Sequence, residues 1–167
     1  MNSEVDSPLL SVENLCKSFG KFVANDHVSF DIEKGQIQCL LGENGAGKST
    51  LAKCIYGASK PDSGRIIFKG QEVTFSSPRD AIRQGIGMVH QHFVLSEPMN
   101  AVENIIVGEE STGAILNLEK ETIKIQNLCD QYGVTFDLSL PVSQLSVGQQ
   151  QWIEILKALY VGVDLLL

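Results

Sequence analysis

Short apolar runs alternate with longer helical patterns along the chain. Runs with the composition of strands occupy residues 9–12, 28–32, 36–41, 66–68 and 86–89. Runs this short, bounded by turn residues, favour strands over helices. A final apolar run, 163–167, has the composition of one more buried strand.

Helix signals mark three longer segments. Ser77 and Pro78 predict the start of a short helix that ends at Gly85, because serine caps a first turn and proline fits its first position. A second helix is predicted over about 118–132, between the cap Asn117 and Gly133. Its apolar stripe consists of Leu118, Thr122, Ile125, Leu128 and Tyr132. With a last helix over about 148–160, the order of elements predicts an α/β fold with a helical insertion.

The overall composition favours a single soluble globular domain. Apolar residues make up 43% of the 167 residues, and the mean hydropathy is +0.04. The formal charge is −7, from 13 basic and 20 acidic residues. We therefore expect no nucleic-acid partner, because nucleic-acid binding depends on a basic surface. No apolar run approaches the roughly 20 residues of a membrane-spanning helix.

The cysteines and histidines favour structural roles. The cysteines, which form no C-x-x-C pair, are Cys16, Cys39, Cys54 and Cys129. We expect reduced thiols in a cytoplasmic protein, with Cys39 and Cys129 in the core. His90 and His92 flank a glutamine, but two histidines without a further ligand nearby make a weak metal site. His27 is expected on the surface of a strand.

A glycine-rich segment between the run 36–41 and a predicted helix matches the pattern G-x-x-x-x-G-K-S/T. Its residues, with the adjacent threonine, are Gly42, Glu43, Asn44, Gly45, Ala46, Gly47, Lys48, Ser49 and Thr50. The glycines let backbone N–H groups point at phosphate oxygens, and the helix N-terminus adds partial positive charge. Lys48 can reach the β- and γ-phosphates, Ser49 can bind Mg²⁺, and Thr50 can contact phosphate. Alone, this loop fits a kinase, a GTPase, a helicase or a transport ATPase.

A second motif narrows that choice. The segment Leu145, Ser146, Val147, Gly148 and Gln149 resembles the LSGGQ signature of ABC ATPases, with valine in the third place. Between the two motifs, residues 87–93 resemble the Q-loop of that family. The resemblance implies that Gln91 contacts Mg²⁺ and the attacking water, and that the signature binds ATP held by another domain. Phe19 falls where the family stacks an aromatic ring on adenine; a core aromatic is the alternative there.

The resemblance also implies a fold and a division of the chain. The expected fold is a P-loop NTPase core with a mostly parallel sheet, an antiparallel β subdomain and a helical subdomain. The nucleotide-binding core would comprise about 1–92 and 145–167, and the helical subdomain about 93–144. ATP and Mg²⁺ are the implied cofactors, with Ser49 and Gln91 on the metal.

The segments 77–93 and 145–159 resemble a narrower class, the ATPases that import simple sugars and nucleosides. In that class one polypeptide carries two nucleotide-binding domains. The implied partners are a second nucleotide-binding domain, membrane permease subunits and an extracytoplasmic substrate-binding protein. The implied location is peripheral, on the cytoplasmic face of the plasma membrane.

Two departures from the family pattern stand out. Residues 163–167 resemble the start of the Walker B strand, but its Asp and the catalytic Glu do not follow within this sequence. Trp152 stands where the family usually has arginine. We therefore expect these residues to bind ATP without hydrolysing it. Two interpretations remain open: part of an importer ATPase, or a standalone nucleotide-binding fragment without turnover.

Overall fold

The computed structural model describes residues 7–90, 93–107 and 117–167. These residues form strands and helices in mixed order, which confirms the predicted α/β class. The strands are β1 (Leu10–Phe19), β2 (Phe22–Ile32), β3 (Ser63–Phe68), β4 (Gln71–Val73), β5 (Ile86–Gly87) and β6 (Leu165–Leu166). The helices are α1 (Lys48–Ile55), α2 (Pro78–Gln84), α3 (Ala101–Ile106), α4 (Leu118–Tyr132) and α5 (Val147–Val161), with a 3₁₀ turn at Val142–Gln144.

The N-terminal compact unit, residues 1–86 with Leu167, contains an antiparallel sheet. Its strand order is β2-β1-β3-β4, and each neighbouring pair runs antiparallel. Leu10 and Val12 are almost fully buried, as the period of two in a strand requires. Leu15, three residues further on, is buried as well, because the pairing register of β1 with β2 shifts between Val12 and Leu15. Ser77 and Gly85 bound α2 as predicted, with Gly85 in the left-handed region at φ 102°.

The predicted strand over 36–41 does not form, so that prediction is wrong. No described strand pairs with these residues, and the side chains of Ile37 and Leu41 are 91% and 92% exposed. An apolar run becomes a buried strand only where another strand accepts its hydrogen bonds and a layer covers its face. Cys39 lies in this run and is exposed, which also corrects the prediction that it lies in the core.

The second compact unit, residues 87–166, is built around α3, α4 and α5. Its core consists mainly of Ala101, Val102, Ile105, Ile125, Cys129, Val142, Ile153 and Leu156. Helix α4 has the predicted boundaries: Asn117 accepts a hydrogen bond from the Lys120 N–H, and Gly133 ends the helix at φ 65°. The predicted stripe is only partly correct, because Leu118 and Tyr132 at the two ends are about half exposed.

The cysteines of the described residues are all free, as predicted. Cys54 and Cys129 are buried, and burial raises the pKa of both thiols. Raising the pKa suppresses the reactive thiolate, so these two side chains act as small core residues. None of the helices in the described part of the chain is long and apolar enough to cross a membrane.

Candidate functional site

The glycine-rich loop depends on a close backbone contact at Gly47. This residue has φ 85°, and a Cβ placed on it would lie 2.1 Å from the Ala24 carbonyl oxygen on β2. Any side chain here would therefore face both a backbone clash and an unfavourable φ. Gly45 also has a positive φ of 88°, but a Cβ there would meet nothing within 4 Å. Gly47 fixes the loop against the sheet, and Gly45 lets it curl.

Helix α1 begins directly after this loop with an uncapped N-terminus. Gly47 is the N-cap residue and makes no side-chain cap hydrogen bond. The first turn also contains no acidic residue. The N–H groups of a first turn have no partner within the helix, and the helix dipole places partial positive charge there. This end of α1 therefore has the properties of an anion-binding site.

Lys48 folds back over the loop. Its Nζ donates to the carbonyl oxygens of Gly42, at 2.7 Å, and Glu43, at 2.8 Å. The loop residues from Gly42 to Ala46 are exposed, as is Ser49, whereas Thr50 is half-buried. An ammonium group, a hydroxyl and the N–H groups of a helix first turn thus lie in or next to one exposed loop, a combination that fits a phosphate chain with a divalent metal ion.

Asn25 supports this loop, and the sequence reasoning above missed it. The residue is only 6% exposed, and its Nδ2 donates to the Gly47 carbonyl oxygen at 3.3 Å. Its Oδ1 is buried and has no hydrogen-bond partner among the residues that the structure describes. A buried, half-satisfied amide is costly, so its position beside the loop points to a role in holding Gly47. The signal in the sequence was a polar amide inside the strand Phe22–Ile32.

The signature segment lies at the N-terminus of α5. Leu145 is buried and anchors it, and the Ser146 side chain caps the helix by accepting from the Gln149 N–H. Gln149 returns the contact, since its Oε1 accepts from the Ser146 N–H at 2.8 Å. This reciprocal pair is a capping box. Val147, in the third place of the motif, is 70% exposed.

Gly148 is open to the outside. A Cβ on this residue would meet nothing within 4 Å, and its φ is not positive. Neither packing nor backbone conformation within the chain therefore requires glycine at this position. Beside it lies an open cleft of about 460 Å³, lined by Ser146, Gly148, Gln149, Gln151, Trp152 and Ile155. An accessible helix N-terminus beside an open cleft suits a ligand that approaches from outside the chain.

Glu154 connects α5 to the segment that follows the predicted Q-loop. It is 6% exposed, and its Oε1 accepts a hydrogen bond from the Val94 N–H at 2.8 Å. Gln91 itself and His92 lie outside the described residues, so the predicted role of Gln91 stays a prediction. The sequence alone did not predict this role of Glu154. The available signal was a carboxylate between the apolar residues Ile153 and Ile155.

Phe19 is not a core residue, because its side chain is 55% exposed at the end of β1. It pairs with Phe22 across the β1–β2 turn, and that ring is 59% exposed as well. Lys17 Nζ lies 5.5 Å from the centre of the Phe19 ring. The same Nζ donates to Asp62 at 2.8 Å, which together with the Ser18 N–H lowers the pKa of that carboxyl. Exposed aromatic surface is thus available for stacking.

Comparison with known proteins identifies the family. A family model that describes ABC transporters matches residues 25–167. The chain belongs to the ABC transporter family. Among its ABC relatives, the glucose import ATP-binding protein TsgD13 of Haloferax volcanii is 42% identical over 96% of this chain and 34% of its own length. The nucleoside import ATP-binding protein NupA of Lactococcus lactis is 45% identical over 95% of this chain and 32% of its own. The chain therefore spans about a third of the length of these relatives.

Solved structures of ABC cassettes have the same fold. MJ1267, an ATP-binding cassette of an ABC transporter, superposes with a TM-score of 0.83 at 30% identity, over 95% of this chain and 67% of that one. The ADP conformation of the same cassette gives a TM-score of 0.78 at 28% identity and the same coverage. These likenesses confirm the predicted ABC ATPase fold class.

Proposed function

We propose that this chain is the nucleotide-binding part of an ABC importer ATPase and that its loop 42–49 binds Mg·ATP. The observation that carries the proposal is the uncapped N-terminus of α1, which faces an exposed glycine loop closed by Lys48. The relatives named as import ATP-binding proteins and the structural relative in an ADP conformation support it. The cargo proposed on the same basis is a simple sugar or a nucleoside.

Each residue of the loop has a distinct proposed role. The N–H groups of Gly45 and of residues 47–50 would donate to phosphate oxygens, and Lys48 would exchange its two carbonyl partners for the β- and γ-phosphates. Ser49, whose side chain is exposed, would hold Mg²⁺ together with Gln91. Bound Mg²⁺ supplies positive charge that offsets the phosphate charge. Phe19 would stack on the adenine ring.

The signature would serve a nucleotide held by another domain. A Cβ on Gly148 would meet no described residue within 4 Å, which supports approach of a phosphate group from outside. The proposed partner is a second nucleotide-binding domain, either fused or as a second chain. Permease subunits and an extracytoplasmic substrate-binding protein would complete the importer, with this chain peripheral on the cytoplasmic face of the membrane.

For the isolated polypeptide, we propose ATP binding without ATP hydrolysis. No Asp-Glu pair follows β6 within these 167 residues, so the polypeptide by itself would bind ATP without hydrolysing it. General-base catalysis alone contributes about 10²- to 10⁴-fold in rate. Steady-state phosphate release should therefore equal that of a Lys48→Ala blank. Release above that blank would mean that a carboxylate within these residues performs the Walker B role.

Calorimetric titration with Mg·ATP tests the proposed function. Lys48→Ala should abolish measurable binding, because charge-assisted contacts to the phosphates are lost. Lys60→Ala is the matched control, since it removes an exposed lysine outside the loop and should bind like the unaltered chain. Equal affinity of the Lys48→Ala variant and the unaltered chain would overturn the assignment of the loop.

A further inference from the structure

Three side chains with different ligand chemistry meet at the middle of the β1–β2 pair. The Cys16 thiol, the Asp26 carboxylate and the His27 imidazole each place one ligand atom within 4.8 Å of the other two. Asp26 and His27 are exposed, and Cys16 is half-buried. The glycine loop, the signature and Phe19 do not include these residues, so none of the roles assigned above accounts for the cluster.

An irregularity in strand pairing brings the three residues together. Leu15 pairs with Val28 and Lys17 with Asn25, so Cys16 alone stands opposite both Asp26 and His27. Consecutive residues of a regular strand point to opposite faces. Here two residues oppose one, the arrangement of a β-bulge, and His27 takes a left-handed φ of 48°. The bulge therefore turns two neighbouring side chains towards the same thiol.

We propose that Cys16, Asp26 and His27 form a binding site for a thiophilic divalent transition metal, with Zn²⁺ as the best match. Thiolate, imidazole and carboxylate are the three ligand types that zinc uses in proteins. Zinc–ligand bonds of about 2.0–2.3 Å place tetrahedral ligand atoms about 3.3–3.7 Å apart. The three ligand atoms already lie within 4.8 Å of one another, and Asp26 and His27 are exposed, so side-chain rotations in solvent would bring them to these separations.

Local hydrogen bonds agree with this assignment. The backbone N–H of His27 donates to Cys16 Sγ at 3.2 Å, which holds the sulfur close to the His27 side chain. His27 Nδ1 lies 2.7 Å from Asp26 Oδ1, so two of the proposed ligand atoms are already adjacent. Metal binding would replace that contact. The thiol proton and the proton between Nδ1 and Oδ1 would both pass to solvent, leaving bonds from the metal to a thiolate, an imidazole nitrogen and a carboxylate oxygen. Three protein ligands leave a fourth position for water.

The site is expected to reject the Mg²⁺ that accompanies ATP. Magnesium prefers oxygen ligands and keeps several of its waters, whereas a thiolate selects softer ions. Occupancy by Zn²⁺ or Co²⁺ should therefore persist in excess Mg²⁺. The site is also independent of the proposed ATP site, so a Lys48→Ala variant should retain it even if it no longer binds nucleotide.

Titration of the purified, reduced chain with Co²⁺ tests the proposal. We expect equimolar binding and a thiolate-to-cobalt charge-transfer band in the near ultraviolet, which added Zn²⁺ removes by displacement. Cys16→Ser should abolish the band. Asp26→Asn and His27→Ala, both changes of exposed side chains that should fold normally, should each weaken binding about tenfold or more, since loss of even an outer-shell partner costs about 10- to 100-fold.

Cys39→Ser is the matched control, because it removes an exposed cysteine outside the cluster and should leave the band unchanged. A band that survives Cys16→Ser or disappears in Cys39→Ser would overturn the proposal. So would the absence of saturable Co²⁺ binding, or equal affinity in the Asp26→Asn and His27→Ala variants. In any of those cases Asp26 and His27 form only a surface hydrogen bond.

Discussion

The N-termini of α1 and α5 solve the same physical problem in different ways. Each first turn has N–H groups without intrahelical partners. At α5, Ser146 and Gln149 satisfy two of them through a capping box. At α1, Gly47 is the N-cap residue and offers no side chain at all. A side chain of the described residues thus caps the N-terminus of α5, whereas the N-terminus of α1 has no side-chain cap.

This difference bears on which of the two sites can act alone. The α1 end lies in a loop whose own Lys48 and Ser49 supply a cation and a hydroxyl. The α5 end offers an exposed Gly148 and a hydroxyl already engaged in capping. We therefore expect α1 to bind nucleotide within a single chain. The α5 end should contribute only when a second domain presents a nucleotide to it.

Among these substitutions, Gly47→Ala should cause the largest loss of stability and of ATP binding. The added methyl group would lie 2.1 Å from the Ala24 carbonyl oxygen, at a φ of 85°. Strain in the left-handed region and forced backbone movement together predict a loss of about 2–5 kcal/mol in the free energy of unfolding, with loss of ATP binding. Urea unfolding and calorimetry measure the two effects. A variant as stable as the unaltered chain would show that the loop does not pack on β2 as described.

Asn25→Asp should have the next largest effect. The substitution keeps the shape of the side chain but removes the Nδ2 donor to the Gly47 carbonyl oxygen and buries a carboxylate beside it. We expect a loss of about 1–3 kcal/mol in the free energy of unfolding and weaker ATP binding. Unchanged ATP affinity in a folded Asn25→Asp variant would contradict the supporting role of Asn25.

Ser146→Ala removes the side chain that caps the N-terminus of α5. Loss of an N-cap side chain typically costs about 1 kcal/mol in the free energy of unfolding. We expect that loss in urea unfolding. A similar loss in Ser49→Ala would remove the contrast between the two helix ends, because Ser49 caps nothing in the described structure.

Gly148→Ala should have the smallest effect on stability. Its Cβ would enter open space, and alanine favours the helix over glycine by up to about 1 kcal/mol. We expect an unchanged or slightly raised midpoint of unfolding, in contrast to Gly47→Ala. A clear destabilisation would mean that the chain itself requires this glycine, and would weaken the argument that a ligand from outside does.

Features decided by neighbouring residues were predictable from the sequence. Asn117 and Gly133 bound α4 as expected, because capping depends on residues within one turn. The loop that ends at Lys48 was predictable for the same reason. Its position between an apolar run and a helix is a local pattern.

Features decided by distant residues were not predictable. The run 36–41 has the composition of a strand, but its state depends on a pairing partner that the pattern cannot supply. The hydrogen bonds of Asn25 and Glu154 join segments far apart in sequence. The meeting of Cys16 with His27 depends on a bulge, and strand composition does not reveal where pairing slips.

Amide chemical-shift mapping of the isolated chain with Mg·ADP distinguishes the two helix ends as nucleotide sites. We expect saturable shifts for the N–H groups of Gly45, Gly47, Lys48 and Ser49, and no shifts at Ser146 or Gly148 at concentrations where the chain is monomeric. The Lys48→Ala variant should show none of these shifts. Shifts centred on Ser146 and Gly148, with the loop amides unmoved, would contradict the assignment of nucleotide binding to the uncapped end of α1.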